Sequence, residues 1–383
     1  MTDTMETEHI HPLKLFELAK SQKRFLYTSA PMVRYSKLAF RKTVHEYGTD
    51  LCWTPMILAK EFNRNQFARD SDFTISTLGP QPPTIVQFGA NVPLELARAS
   101  TLVAPHASGV DLNCGCPQSW ACAETLGAAL MERRELVRDM VVTTREHLRR
   151  DGWAVGKERD ADDADGKGRS VSVKIRVHKD LRKTIDFITT VLGPPQDRHI
   201  DFLTIHPRTR ATPSSAPIDV SALEVLTSTF GAHVPILVSG DVFTLGTLPY
   251  TSPVAPLRSE GTPEPPLPSL PHLAGLMSAR AILANPALYA GHDACPWSAV
   301  DTFLNHAVRC PLPFKLVLHH LAEMCGPGFG PDKSALLSRK ERARMMGCLN
   351  MVDLIDFMDG KRMEKGGGVE VVRREERDGV VQR

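Results

Sequence analysis

Eight short apolar runs punctuate this chain, and longer stretches of helical spacing follow most of them. That rhythm constrains the fold more than any other feature. The apolar runs are "RFLYTSAPM", "TDLCWTPMI", "PTIVQFG", "ASGVDLN", "SVSVKIRV", "IDFLTIH", "PILVSGD" and "LAGLMSAR". Between them, "KLAFRKTVHEYG", "PLELARASTLV", "ELVRDMVVTTREHLRR", "LRKTIDFITTVLG" and "VSALEVLTSTFG" carry apolar residues at helical intervals. Eight βα units over roughly 260 residues are what a parallel TIM (β/α)8 barrel requires. With 383 residues the chain is longer than one compact core usually holds, unless that core is a large barrel.

The barrel is expected over 24–292, after an N-terminal extension at 1–23. Two inserts interrupt it. The polar, glycine-containing stretch 156–170 reads as a surface loop before the fifth strand. The proline-rich stretch 247–271 replaces the seventh helix, wholly or in part, by an extended excursion. Residues 296–359 are helical without strands, a small C-terminal domain containing "FKLVLHHLAEM" and "ERARMMGCLNMVDLIDFM". The tail 360–383 is expected to be disordered.

The net charge of +2 does not announce a nucleic-acid partner, so any basic surface must be local. The polar start and the lack of an apolar run of membrane-spanning length argue against a membrane partner. They favour a reducing, intracellular compartment, cytoplasmic or nuclear, in which the eight cysteines are free thiols.

In a barrel of this kind the chemistry sits at the C-terminal strand ends. Taken in order, those ends hold Pro31 and Met32, Gln87, Asn113 to Cys116, Lys174 and Arg176, His206, Ser239-Gly240-Asp241, and Ala279-Arg280. The last two groups suit a phosphate, through turn N–H groups and the Arg280 fork. Lys174 and Gln87 suit a planar heterocycle. Flavin mononucleotide (FMN) answers both halves, whereas no G-x-G-x-x-G opens a βα unit for a dinucleotide. Blander readings stand beside these. Lys174 can simply face solvent, His206 can cap a turn, and Met32 can pack. A metal at Cys114 and Cys116 lacks further ligands at suitable spacing, so none is expected.

"APMVRYSKLAFR", "PTIVQFG", "DLNCGCPQ", "VKIRVH", "FLTIHPRTR", "VSGD" and "GLMSARAILANPALY" resemble, in order, the motifs of tRNA-dihydrouridine synthases. "NCGCPQSWACAETLGAALMERRELVRDMV" and "HPRTRATPSSAP" look most like the eukaryotic subfamily acting on D-loop positions 20a and 20b. The resemblance implies an FMN-binding barrel followed by a helical domain. It also implies reduction of a uracil C5–C6 double bond in tRNA, with NADPH as reductant. Pro31, Met32, Gln87, Lys174, His206, Ser239, Gly240, Asp241, Ala279 and Arg280 would then hold FMN, and Asn113 would touch the base. Cys116, the cysteine before proline in the motif, would be the proton donor. A thiol suits that task, because a reference pKa of about 8.5 keeps it protonated near neutrality yet able to release the proton. Cys114 would point away and pack.

Two residues depart from the family pattern: Ser239 replaces an asparagine and Pro207 a glycine. Arg176, Arg208 to Arg210, and Arg339, Lys340, Arg342 and Arg344 are candidates for gripping RNA phosphates. A solvated helix face explains the last four equally well. A barrel acting on free pyrimidines, or a non-catalytic RNA-binding barrel, remain rival readings, and the oligomeric state stays open.

Overall fold

The computed structural model describes residues 10–74, 81–155, 166–251 and 267–366. Most of each insert (156–165 and 252–266), the first nine residues and the tail from 367 lie outside the described residues. The strands are β1 (Leu26–Ser29), β2 (Leu51–Trp53), β3 (Ile57–Leu58), β4 (Thr84–Gly89), β5 (Gly109–Cys114), β6 (Ser170–Arg176), β7 (Phe202–His206), β8 (Ile236–Ser239) and β9 (Leu273–Ser278). Every pairing is parallel, and the contact between β2 and β4 closes the sheet into an eight-stranded barrel. The two-residue β3 extends the strand position of β2 along the flank of β4. All eight expected strands are present. β9, the strand after the proline-rich insert, pairs with both β8 and β1.

Helix α1 (Pro12–Ser21) precedes the barrel. The outer layer holds α2 (Leu38–Glu46), α3 (Ala59–Arg64), α4 (Gln66–Asp72), α5 (Pro93–Val103), α6 (Ser119–Ala123), α7 (Arg134–Arg150), α8 (Leu181–Leu192), α9 (Val220–Phe230) and α10 (Arg280–Ala284). Local chemistry sets their ends. Asp180 accepts from Arg182 N to open α8, which stops at Gly193 with φ of 72°. Asp219 caps α9 in the same way. Between β8 and β9 the described residues hold a 3-10 turn, Leu245–Thr247, and no α-helix.

Two apolar layers fill the molecule. One lies between barrel and helices, where α7 buries Val137, Met140, Val141, Thr144 and Leu148, one face of an amphipathic helix. The other fills the barrel's lower half. There Leu26, Leu51, Trp53, Phe202, Leu237 and Met277 meet Leu15, Phe16 and Ala19 of α1. The Phe16 and Trp53 rings approach Phe202 at 5.5 Å and 5.9 Å. Each large side chain so buried contributes about 1.5–3 kcal/mol.

The C-terminal appendage comprises α11 (Trp297–Arg309), α12 (Phe314–Met324), α13 (Arg339–Met345) and α14 (Met351–Glu364). It docks through His320, whose buried ring packs against Tyr35 and Phe40 of the barrel and Phe303 of α11. Ser338 and Glu341 form a reciprocal cap that starts α13. Helix α14 carries through Gly360 to Glu364, past the point where order was expected to end.

Candidate active site

The turn that follows β5 is built around one amide. Asn113 Oδ1 accepts hydrogen bonds from the N–H groups of Gly115 and Cys116, at 3.0 and 2.9 Å. Both lone pairs of that oxygen are thereby used, and the chain reverses with Cys116 at its apex. The turn is fastened on two further sides. Cys116 O accepts from Ala128 N at 2.8 Å. Arg176 donates to Gly115 O at 2.9 Å and to Thr209 O at 2.7 Å. Cys114 points into the core and is fully buried, and burial with the nearby Asp111 charge raises its pKa well above the ordinary thiol value. Cys116 is half-exposed, and its sulfur is near enough to Lys174 and Arg176 to act electrostatically on both.

Strand register assembles a polar layer above the apolar plug. Gln87 pairs with Asp111, Asp111 with Ser172, and Asn113 with Lys174. Side chains two residues apart on a strand share a face, so these groups point together into the barrel. Gln87 donates to Asp111 at 2.7 Å and accepts from Asn113 Nδ2 at 2.8 Å. Ser172 donates to the other Asp111 oxygen at 2.7 Å. Burial raises the Asp111 carboxyl to about 6, against the pull of these donors and of Lys174. Burial also lowers the Lys174 ammonium to about 8, although Asp111 attracts it.

Lys174 therefore gives the ligand-free protein a pH signature. An unfolded lysine titrates near 10.4, so between about 8 and that value the unfolded chain binds a proton that the folded chain has released. Stability of the ligand-free protein is expected to rise with pH across this window, and Lys174→Met to flatten the rise. Urea unfolding midpoints measured from pH 7 to 10 check this; an unchanged slope in the variant would refute it.

The tips of β7, β8 and β9 form a cationic corner. His206 Nε2 lies 2.9 Å from an Arg208 guanidinium nitrogen. Arginine only donates, so Nε2 accepts and the ring is neutral with its proton on Nδ1. Burial, then the charges of Lys174, Arg176, Arg208 and Arg280, hold this imidazole down to about 2. Arg208 also pairs with Asp241 and donates to Ala216 O at 2.7 Å through Nε. Asp241 in turn accepts from Ile218 N at 2.8 Å. Gly240 has φ of 108°, and a Cβ there would come within 3.0 Å of both His206 and Arg208. Glycine is required at that point by conformation and by space.

The strand-end residues named from sequence thus converge on one mouth, with three changes in what they do. The Asn113 oxygen is occupied by the turn, so Asn113 shapes the Cys116 loop and keeps at most one amide hydrogen for a ligand. Arg176 is buried, and its guanidinium binds two main-chain carbonyls; it fastens the loop. Arg208 is 3% exposed and ion-paired, so it cannot grip RNA at the surface and belongs to the cationic corner. Ser239 is buried at the β8 tip, and Pro31 and Met32 are half-buried after β1, on a turn that Ser36 ties to Ala30 O and Met32 N. Ala279 precedes α10, and Arg280 projects exposed, donating to Ser214 O at 3.0 Å. Asp111 and Ser172 were not expected from sequence. The signal was present, since Asp111 stands two residues before Asn113, and Ser172 two before Lys174, on the same faces.

A cavity of about 670 Å³ opens at the opposite barrel end, between α1 and the starts of β1, β8 and β9. It shares no residue with the polar strand tips, so the candidate site is placed at the tips. Among the described residues no three His, Cys, Asp or Glu side chains gather as for a metal, and no helix is long and apolar enough to cross a membrane.

A parallel barrel whose mouth joins a turn-borne thiol, a buried carboxylate–lysine pair and an anion-attracting corner defines a barrel enzyme. A family model described as dihydrouridine synthase (Dus) matches residues 28–251, which span β1 to β8. The chain is 36% identical over 319 residues to the tRNA-dihydrouridine(20a/20b) synthase of Schizosaccharomyces pombe, covering 82% of this chain and 83% of that one. Its Saccharomyces cerevisiae counterpart is 32% identical over 358 residues, 93% and 84% of the two chains. A Homo sapiens protein named as like that enzyme is 33% identical over 347 residues, 91% and 93%. All three names include NAD(P)+. The chain belongs to the dihydrouridine synthase family.

Proposed function

We propose that this protein reduces the C5–C6 double bond of uridine in the D-loop of tRNA, at positions 20a and 20b, with FMN as cofactor and NADPH as reductant. The observation that carries the reading is the Cys116 turn, folded by Asn113 and set beside Lys174 at the barrel mouth. The names of the relatives support the substrate, the positions and the nicotinamide reductant.

The site fits a flavin mononucleotide on its own chemistry. Four cations press on His206, and Asp241 is the anion paired in that corner, so a phosphate is electrostatically favoured there. The Gly240 turn leaves space that any side chain would fill. Arg280, Arg208 and the main-chain N–H groups of the Ser239-Gly240-Asp241 turn would hold the phosphate, with the Asp241 carboxylate orienting Arg208, and Lys174, with Gln87 beneath it, would hold the ring system. When bound, that ring supplies hydride to uracil C6.

The chain's residues complete the addition. Hydride arriving at C6 leaves negative charge at C5 and O4, and the Cys116 thiol gives its proton to C5. Water then returns a proton to the sulfur. Arg176, Ala128 and Asn113 hold the sulfur's backbone, so aiming it requires no rearrangement of the turn. The target base must leave its stack to enter, at a cost of a few kcal/mol. Phosphate contacts from exposed Arg210, Arg339, Lys340 and Arg344 offset that cost. A tRNA substrate supports an intracellular site of action, cytoplasmic or nuclear.

Mapping dihydrouridine in tRNA tests the function. Cells lacking this protein should lose the modification at 20a and 20b and regain it when the gene is restored. Loss elsewhere, or conversion of free uracil with none of tRNA, would overturn the reading. Gly127 offers a geometric check. Its φ is 59°, and a Cβ there would stand 2.6 Å from Cys116 O and 2.8 Å from Cys116 Cβ. Gly127→Ala is expected to cost about 1–3 kcal/mol of stability. It should slow tRNA reduction more than reduction of the flavin by NADPH, as rapid-mixing measurement of the two half-reactions would reveal. Equal slowing of both would contradict it.

A further inference from the structure

Arg280 reaches the cationic corner as an exposed side chain, and two contacts restrain its guanidinium. One is the hydrogen bond to Ser214 O, at 3.0 Å. The other is the ring of Phe329, whose centroid lies 5.4 Å from the guanidinium carbon. Phe329 does not come from the barrel. It stands between α12 and α13 of the appendage, and its ring stacks on Phe243, from the loop after β8, at 6.0 Å with 14° between planes. The neighbouring Gly330 seats closely on the same loop, since a Cβ there would meet Thr244 Cγ2 at 2.5 Å. Thr244 is itself fixed by a reciprocal cap with Thr247. The appendage thus touches the two loops that bracket the anion end of the mouth.

We propose that Phe329 is a positioning residue: it aims Arg280 at the phosphate of the bound cofactor, so the seating of the appendage on the barrel sets how tightly that phosphate is held. The inference rests on the FMN reading above. A long, exposed arginine loses much rotamer freedom when it closes on a phosphate, and a ring face that already holds the guanidinium removes part of that cost. The effect must be confined to ligands that carry the phosphate.

The test compares FMN with riboflavin, the same ring without phosphate, binding to the flavin-free full chain by fluorescence quenching. Phe329→Ala and Phe329→Leu should each weaken FMN by about threefold, the scale of one exposed cation–π contact. Riboflavin affinity should be unchanged, and Phe329→Tyr should restore FMN affinity. In an Arg280→Ala background, Phe329→Leu should weaken FMN no further. Equal weakening of both ligands, or full additivity with Arg280→Ala, would overturn the proposal, as would FMN affinity unchanged in both Phe329→Ala and Phe329→Leu. Failure of the wild-type protein to bind FMN at all would instead sink the cofactor reading.

Discussion

Cys116→Ala is expected to slow dihydrouridine formation by about 10²–10⁴-fold, the usual worth of a positioned general acid. Reduction of its flavin by NADPH should continue at the wild-type rate. The split follows from the site's geometry. The sulfur sits at the apex of a turn secured through backbone groups: Asn113 Oδ1 to the N–H of residue 116, Ala128 N to its carbonyl. Removing the side chain leaves that scaffold intact and deletes only the proton. Cys114→Ala is the control, because its side chain is buried away from the mouth and acts by packing. Reduced enzyme mixed with tRNA in a single turnover reads the rate. An alanine variant within tenfold of wild type would place the acid elsewhere, with a water as the simplest substitute.

Arg208→Met is expected to destabilise the flavin-free protein by about 3–5 kcal/mol, as when one member of a buried ion pair is removed. The Arg208 and Asp241 side chains are 2% and 12% exposed, so Asp241 would be left desolvated with Ile218 N as its remaining donor. The two Ala216 contacts and the His206 contact would go as well. Urea unfolding measures the loss, and adding Asp241→Asn to the variant should recover part of it. A loss below about 1 kcal/mol would mean that the pair behaves as a solvent-exposed one. His206 would simultaneously lose a guanidinium that suppresses its protonation, so its pKa should rise.

Eight strands could be read from sequence because each is a compact apolar run, and most are followed by helical spacing. Their tips announced a candidate site because the barrel gathers every tip at one mouth. What the residues do there was less legible. Asn113 was expected to face the base, yet its oxygen caps two N–H groups of its own loop, a choice made by turn geometry within three residues. Arg208 looked like surface charge because a linear sequence does not say which way a turn side chain points. Asp111 and Ser172 went unnoticed because a polar residue inside an apolar strand finds meaning only through its neighbours across the sheet, and register is set by closure of the whole barrel. The appendage's hold on Arg280 joins residues 49 positions apart, from Arg280 to Phe329, a distance that local patterns do not bridge.

Helix α1 gives the barrel a floor drawn from its own chain. Its loss would turn Leu26, Trp53, Phe202 and Met277 into the walls of an oily socket open to water. A version of the protein begun at Arg24 should self-associate through that socket even though every residue at the catalytic mouth is retained. Helix α1 behaves as a stopper at this end of the barrel, opposite the mouth that carries the polar strand tips.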